Sequence, residues 1–171
     1  MKKIFFLAFI LFFSFTIASA QAYKAGLGAR GGWTSGFTAK YIIKEGMGIE
    51  GIISTGYHYH GYQAVGLFEI HKPAFTKNEV EGFTWFYGGG AHFGGGYHYV
   101  IYHPGPGWGG YYKEHNYVAF GIDAIFGLEY KIPDIPFTVG ADVKPFVDFV
   151  TDRDAPYGFW DSAVSFRYIF E

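Results

Sequence analysis

From residue 24 onward, apolar and polar residues alternate with a period of two in stretch after stretch. Val118, Phe120, Ile122, Ala124, Phe126, Leu128 and Tyr130 hold one parity, and Ala119, Gly121, Asp123, Ile125, Gly127, Glu129 and Lys131 hold the other. Near the C-terminus Val164, Phe166, Tyr168 and Phe170 alternate with Ala163, Ser165 and Arg167. A period of two sends successive side chains to opposite faces of a sheet, so each segment has one greasy face and one polar face. The pattern predicts eight strands, over residues 24–34, 36–44, 47–57, 61–71, 82–97, 117–131, 136–148 and 160–170.

Eight antiparallel strands bring both chain ends to one side. The connections 44–46, 72–81 and 133–136 then lie on that side, and those near Ser35, at 58–60, 98–116 and 149–159 lie opposite. Residues 98–116, with Pro104-Gly105-Pro106-Gly107 and Gly109-Gly110, read as the longest loop, although Tyr99, Ile101 and Tyr102 could continue a strand. Gly88-Gly89-Gly90 and Gly94-Gly95-Gly96 fall inside one strand pattern. Glycine there relieves crowding where a small barrel curves or where an aromatic ring lies across a neighbouring backbone; a loop is the other reading.

The density of aromatic residues decides where the greasy face goes. The chain is 23% aromatic and 16% charged, against about 25% charged in an average globular domain. Such a face suits lipid, and the polar parity then lines a closed interior. A soluble barrel with these rings as its core would need a polar outer face, but the other parity offers mostly glycine and sparse charge. After the N-terminus no segment has the roughly 18 consecutive apolar residues of a membrane helix, so a spanning chain must satisfy its backbone between strands. The expected fold is an all-β, eight-stranded, antiparallel up-and-down transmembrane barrel. It closes on itself as a monomer.

Lys2 and Lys3, the apolar run from Ile4 to Ile17 and the small residues Ala18-Ser19-Ala20 have the form of a secretory signal peptide. This predicts residues 1–20 as a cleaved signal and 21–171 as a single barrel domain. No Cys follows the apolar run or occurs elsewhere, so neither a lipoprotein anchor nor a disulfide framework is expected. A net charge of -2 gives no electrostatic reason to expect a nucleic-acid partner.

The polar parity carries Arg30, Lys40, Glu50, Glu69, Asp123, Glu129, Asp142, Lys144 and Arg167, with His71 and His92 on the same side. An eight-stranded interior is about filled by its own side chains, and an unpaired buried charge is strongly unfavourable. Pairing across the interior is therefore expected, with Arg30 and Lys40 facing Asp123 and Asp142 at mid-height. Glu50, Glu69 and Glu129 should lie lower, with Arg167. A polar conduit is the competing use of the same residues.

Trp33, Tyr57, Tyr97, Tyr117, Tyr130, Trp160 and Tyr168 suit the aromatic girdles at the two membrane interfaces. His58, His60, His98, His103 and His115 fall in one set of connections and could meet a metal ion, but their spacing matches no metal motif. No metal and no cofactor are expected. Gly26-Leu27-Gly28-Ala29-Arg30-Gly31 has dinucleotide-loop spacing but lacks the helix that such a loop requires. Ser54, Ser162 and Ser165 have no adjacent His to activate them, so no catalytic residue is assigned.

Several stretches resemble the small outer-membrane β-barrel domain proteins of Gram-negative bacteria, related in shape to the OmpA-like eight-stranded barrel. They are the signal-like N-terminus, Gly66-Leu67-Phe68-Glu69-Ile70-His71, the run from Phe83 to His92, the run from Gly121 to Tyr130, and Ile135-Pro136-Phe137 through Lys144-Pro145. The resemblance implies residence in the cell outer membrane, contact with its lipid and lipopolysaccharide, and delivery by periplasmic chaperones to the barrel insertion machinery. Phe166, Tyr168 and Phe170 are similar to the insertion signal that this machinery reads, although Glu171 follows the last aromatic. The resemblance says little about activity; the balanced charges in a narrow bore lead to the expectation of a structural or surface-recognition duty, behind a plugged polar lumen. A narrow channel for small or apolar solutes is the alternative, and a lipid-modifying enzyme is the third reading, for which the His-x-Ser pattern of the lipid A deacylases is absent.

Overall fold

In the computed structural model, which describes residues 23–56, 60–75, 82–102, 111–151 and 159–170, the alternating segments form eight strands. These are β1 (Ala25–Gly32), β2 (Thr34–Lys44), β3 (Met47–Gly56), β4 (His60–Pro73), β5 (Phe83–Tyr102), β6 (Tyr111–Lys131), β7 (Phe137–Val150) and β8 (Trp160–Phe170). Each pairs antiparallel with the next, and β1 pairs with β8 through a register running from Ala25 opposite Phe170 to Gly32 opposite Ala163. The result is a closed, all-β, up-and-down barrel with no open edge along the seam.

Both described chain ends lie at one end of the barrel, here the lower end. The turn after β2 lies there too, with Gly46 at φ 72°, as does the turn after β6, where Asp134 has φ 63°. The β6–β7 ladder is interrupted next to Pro145, which has no N–H to donate, yet the register resumes unchanged on either side.

Residues 98–116 depart from the expected loop. β5 continues to Tyr102 and β6 begins at Tyr111, with Tyr97 opposite Asn116 and Tyr102 opposite Tyr111. The tyrosine, valine and isoleucine content of 97–102 favours a pleated strand, and only 103–110, where the Pro-Gly pairs sit, lies outside the described residues. Both glycine triplets are strand. The expected signal segment 1–20, Tyr57, His58, His103 and Glu171 also lie outside the described residues.

The faces are inverted relative to a water-soluble protein. Phe37, Ile53, Ile122 and Phe126 are 72%, 68%, 61% and 55% exposed, whereas Lys40, Glu50, Glu69 and Arg167 are at most 2% exposed. Inside, Ile52, Val65, Leu67, Phe86 and Ile125 form an apolar patch on the wall made by β3 to β6. Phe86 lies across Gly127, where a Cβ would come within 2.4 Å of the ring, and His92 lies across Gly121, where the distance would be 2.5 Å. These glycines provide the space for two large side chains to cross a narrow interior.

Candidate functional site

Strand direction sets the height of each buried charge. β1 rises from the lower end and β2 descends, so Arg30 stands opposite Gly36 in the upper half while Lys40 stands opposite Gly26 and Glu50 in the lower half. Lys40 therefore joins the lower glutamates and not Arg30, which corrects the mid-height placement expected from its position along the strand. Its Nζ lies 3.1 Å from Glu50 Oε2, 2.8 Å from Glu69 Oε2 and 3.5 Å from Glu129 Oε2, and sits 4.1 Å from the centre of the Phe86 ring.

Arg167, on β8, closes this lower cluster from the other side. It donates through Nη2 to Glu50 Oε1 at 2.6 Å, through Nη1 to Glu129 Oε2 at 2.9 Å and through Nε to Thr38 Oγ1 at 3.2 Å. Thr38 also donates to Glu50. Tyr23 donates to Glu129 Oε1 at 2.6 Å, and His71 Nε2 lies 2.9 Å from Glu69 Oε2. Tyr23 precedes β1, and burial followed by the Glu129 carboxylate pushes its phenol pKa up, which keeps the hydroxyl a donor.

The upper half holds two smaller clusters. Arg30 spans Asp142 at 2.6 Å and Asp161 at 3.0 Å, and Asp161 also accepts from the Thr34 hydroxyl at 2.7 Å. Lys144 donates to Asp123 at 2.7 Å. His92 lies between two carboxylates, with Nδ1 2.8 Å from Asp123 Oδ2 and Nε2 2.6 Å from Asp148 Oδ1. The charges thus lie at two levels, and each cation touches at least one carboxylate. The lower cluster reaches across the interior, from Lys40 on β2 to Glu129 on β6 and from Arg167 on β8 to Glu50 on β3. The upper pairs join strands at most two apart around one side of the wall, from β5 through β8 to β1.

The clusters contain residues beyond the charged set assigned from parity. Asp148 continues the inward series Asp142, Lys144, Phe146, and Asp161 that of Ala163, Ser165, Arg167. Both lie at the ends of the predicted strands 136–148 and 160–170 with inward parity, and the charged set omits them although the alternation already turns them inward. Tyr117 corrects the girdle assignment, since it is 3% exposed and packs inward against Ala119. Trp33 and Trp160 do lie on the outer face, their rings 5.1 Å apart. Phe166, Tyr168 and Phe170 are exposed on the outside of β8.

Ser54 and Ser165 are buried inside the barrel, and neither has a His bonded to its hydroxyl among the described residues. Of the loop histidines, His58 and His103 and the side chains of His60 and His98 lie outside what the structure describes; among the described residues no group of three or more His, Asp or Glu has the arrangement of a metal site.

No family model matches the chain, and no curated protein matches it. Among solved structures it is similar to the N-terminal β-barrel domain of Pseudomonas aeruginosa OprF, with a TM-score of 0.54 and 12% identity over 85% of this chain and 96% of that one. The chain thus shares its fold, a closed eight-stranded antiparallel β-barrel, with that domain.

Proposed function

We propose that this protein is a monomeric barrel of the Gram-negative outer membrane, exported by a cleaved signal peptide, with a lumen plugged by its own ion pairs and a structural or surface-recognition role. The observation that carries the reading is the inversion of the two faces. A continuous outer belt of large apolar side chains has no use in water and is what a hydrocarbon layer requires. In the same barrel, charges buried at 0 to 6% exposure meet one another across the interior.

The lower ionic cluster, which reaches from β2 to β6 and from β8 to β3, supports the plug. An eight-stranded bore is about as wide as the side chains it contains, and Arg167, Lys40 and Phe86 are among its largest fully buried groups. Charge-assisted pairs hold them in fixed positions across the path. The surface-recognition role rests on the β5–β6 hairpin, whose strands outrun their neighbours at the upper end.

Planar-bilayer recording tests the plug. The mature protein is expected to insert and show little steady conductance, and the double variant Arg30→Ser, Arg167→Ser is expected to conduct measurably more. Large, stable conductance from the unmodified protein would overturn the plug and favour a narrow channel.

A further inference from the structure

Near the lower edge of the apolar belt, a lysine stands among rings on the outside of the barrel. Lys72 shares the outward parity of Phe68 and Ile70 on β4, so its side chain leaves the barrel, and in the β4–β5 register it stands opposite Trp85. Its Nζ is 5.7 Å from the Trp85 ring centroid and 5.9 Å from that of Tyr87. Those two rings are stacked, 5.3 Å apart at 25°, and Trp85 abuts Phe126 at 5.9 Å. Lys72, Trp85 and Tyr87 are each half-buried, whereas Phe68 above them and Phe126, opposite Tyr87, are exposed to the surrounding medium.

This arrangement fixes a positive charge at one height. The aliphatic stem lies along apolar surface, and two ring faces within about 6 Å hold the ammonium in place. Tryptophan and tyrosine settle at head-group level in a bilayer, which puts the ammonium at the level of the phosphates. The ammonium, the indole N–H and the phenol are hydrogen-bond donors at adjacent outward positions, and a phosphodiester is an acceptor-only group that matches them. The fixed positive charge also disfavours a head group carrying its own cation.

We propose that Lys72, Trp85 and Tyr87 form a binding site for the phosphodiester head group of an anionic phospholipid at the lower edge of the belt. This rests on the membrane reading above. The site selects lipid by charge, through Lys72, while the ring pair sets its depth.

Quenching by brominated lipids tests the site in the full mature chain. Trp33, Trp108 and Trp160 are replaced by Phe, which leaves Trp85 the sole tryptophan. The protein is reconstituted in phosphatidylcholine vesicles containing either dibrominated phosphatidylglycerol or an equal fraction of dibrominated phosphatidylcholine. The anionic lipid is expected to be enriched at Trp85 about five-fold at low ionic strength. Lys72→Gln should bring the two lipids to equal quenching, and Lys72→Arg should retain the preference. Equal quenching in the parent, or a preference unchanged by Lys72→Gln, overturns the site while leaving the membrane reading intact. Absence of quenching by either lipid shows that the barrel is not in the bilayer, and sinks the membrane reading and the site together.

Discussion

At the scale of single residues, the value of a side chain depends on which face of the wall it takes. Arg167 touches Glu50, Glu129 and Thr38 with nothing of it in solvent. Removing one partner of such a pair leaves the other charge buried, at a cost of about 3 to 5 kcal/mol. Arg167→Met is therefore expected to lower stability by that amount in urea titrations of the bilayer-folded protein, and Arg167→Lys should recover part of it. On the outer face the sign is reversed: Phe126→Arg puts a charge into the apolar belt and should cost about 2 to 4 kcal/mol. If Phe126→Arg were neutral by the same titration, the inside and outside assignments would be wrong. Period-two parity made the positions of Arg30, Lys40, Glu50, Glu69, Asp123, Glu129, Asp142, Lys144 and Arg167 legible without a structure. It could not place Tyr23, which precedes the strand and has no parity to read. Tyr117 shows the opposite case, since its parity was inward and its aromatic identity misled. The upper interior beside it is lined by Gly94, Ala119 and Gly121, and that small-residue wall leaves room for a ring.

At the scale of strands, existence and facing were legible and ends were not. Hydrophobic alternation reports the half-buried part of a strand, but β5 and β6 run on beyond their neighbours, where turn-forming glycine and proline compete for the reader's attention. Closure depends on a feature that alternation does not report at all, the approach of one backbone to the next. At Gly28, on the β1–β8 seam, an added Cβ would come within 1.9 Å of the Phe166 carbonyl oxygen and 2.6 Å of the Arg167 Cα. At Gly66, on the outside of β4, nothing lies within 4 Å of the same atom. Gly28→Val is thus expected to abolish the compact, heat-modifiable form on detergent gels, whereas Gly66→Val should retain it. Equal behaviour of the two variants would show that the seam tolerates separation and that closure does not depend on this contact.

At the scale of the whole molecule, strand number and closure determine how the barrel stands in a membrane. Eight antiparallel strands return the chain to the end from which it began, so Lys24 and Phe170 share that end with the turns at Gly46 and Asp134, while the β5–β6 tip lies at the other. On the membrane reading proposed above, a chain inserted from the periplasm keeps its termini on the side of entry, and that reading assigns the tip to the cell surface. One feature agrees with this direction: the hairpin that extends furthest, β5–β6, belongs to the opposite end. The chain has no Cys, so single cysteines can report each end without background. In intact cells, a membrane-impermeant maleimide is expected to label Gly107→Cys and to leave Asp134→Cys unlabelled until the outer membrane is permeabilised. Protease added to intact cells should likewise cut within 103–110 before it reaches the Asp134 turn. Labelling of Asp134→Cys alone in intact cells would invert the barrel. The lower ionic cluster and Lys72 would then lie toward the cell surface, and any recognition role would pass from the long hairpin to the terminal end.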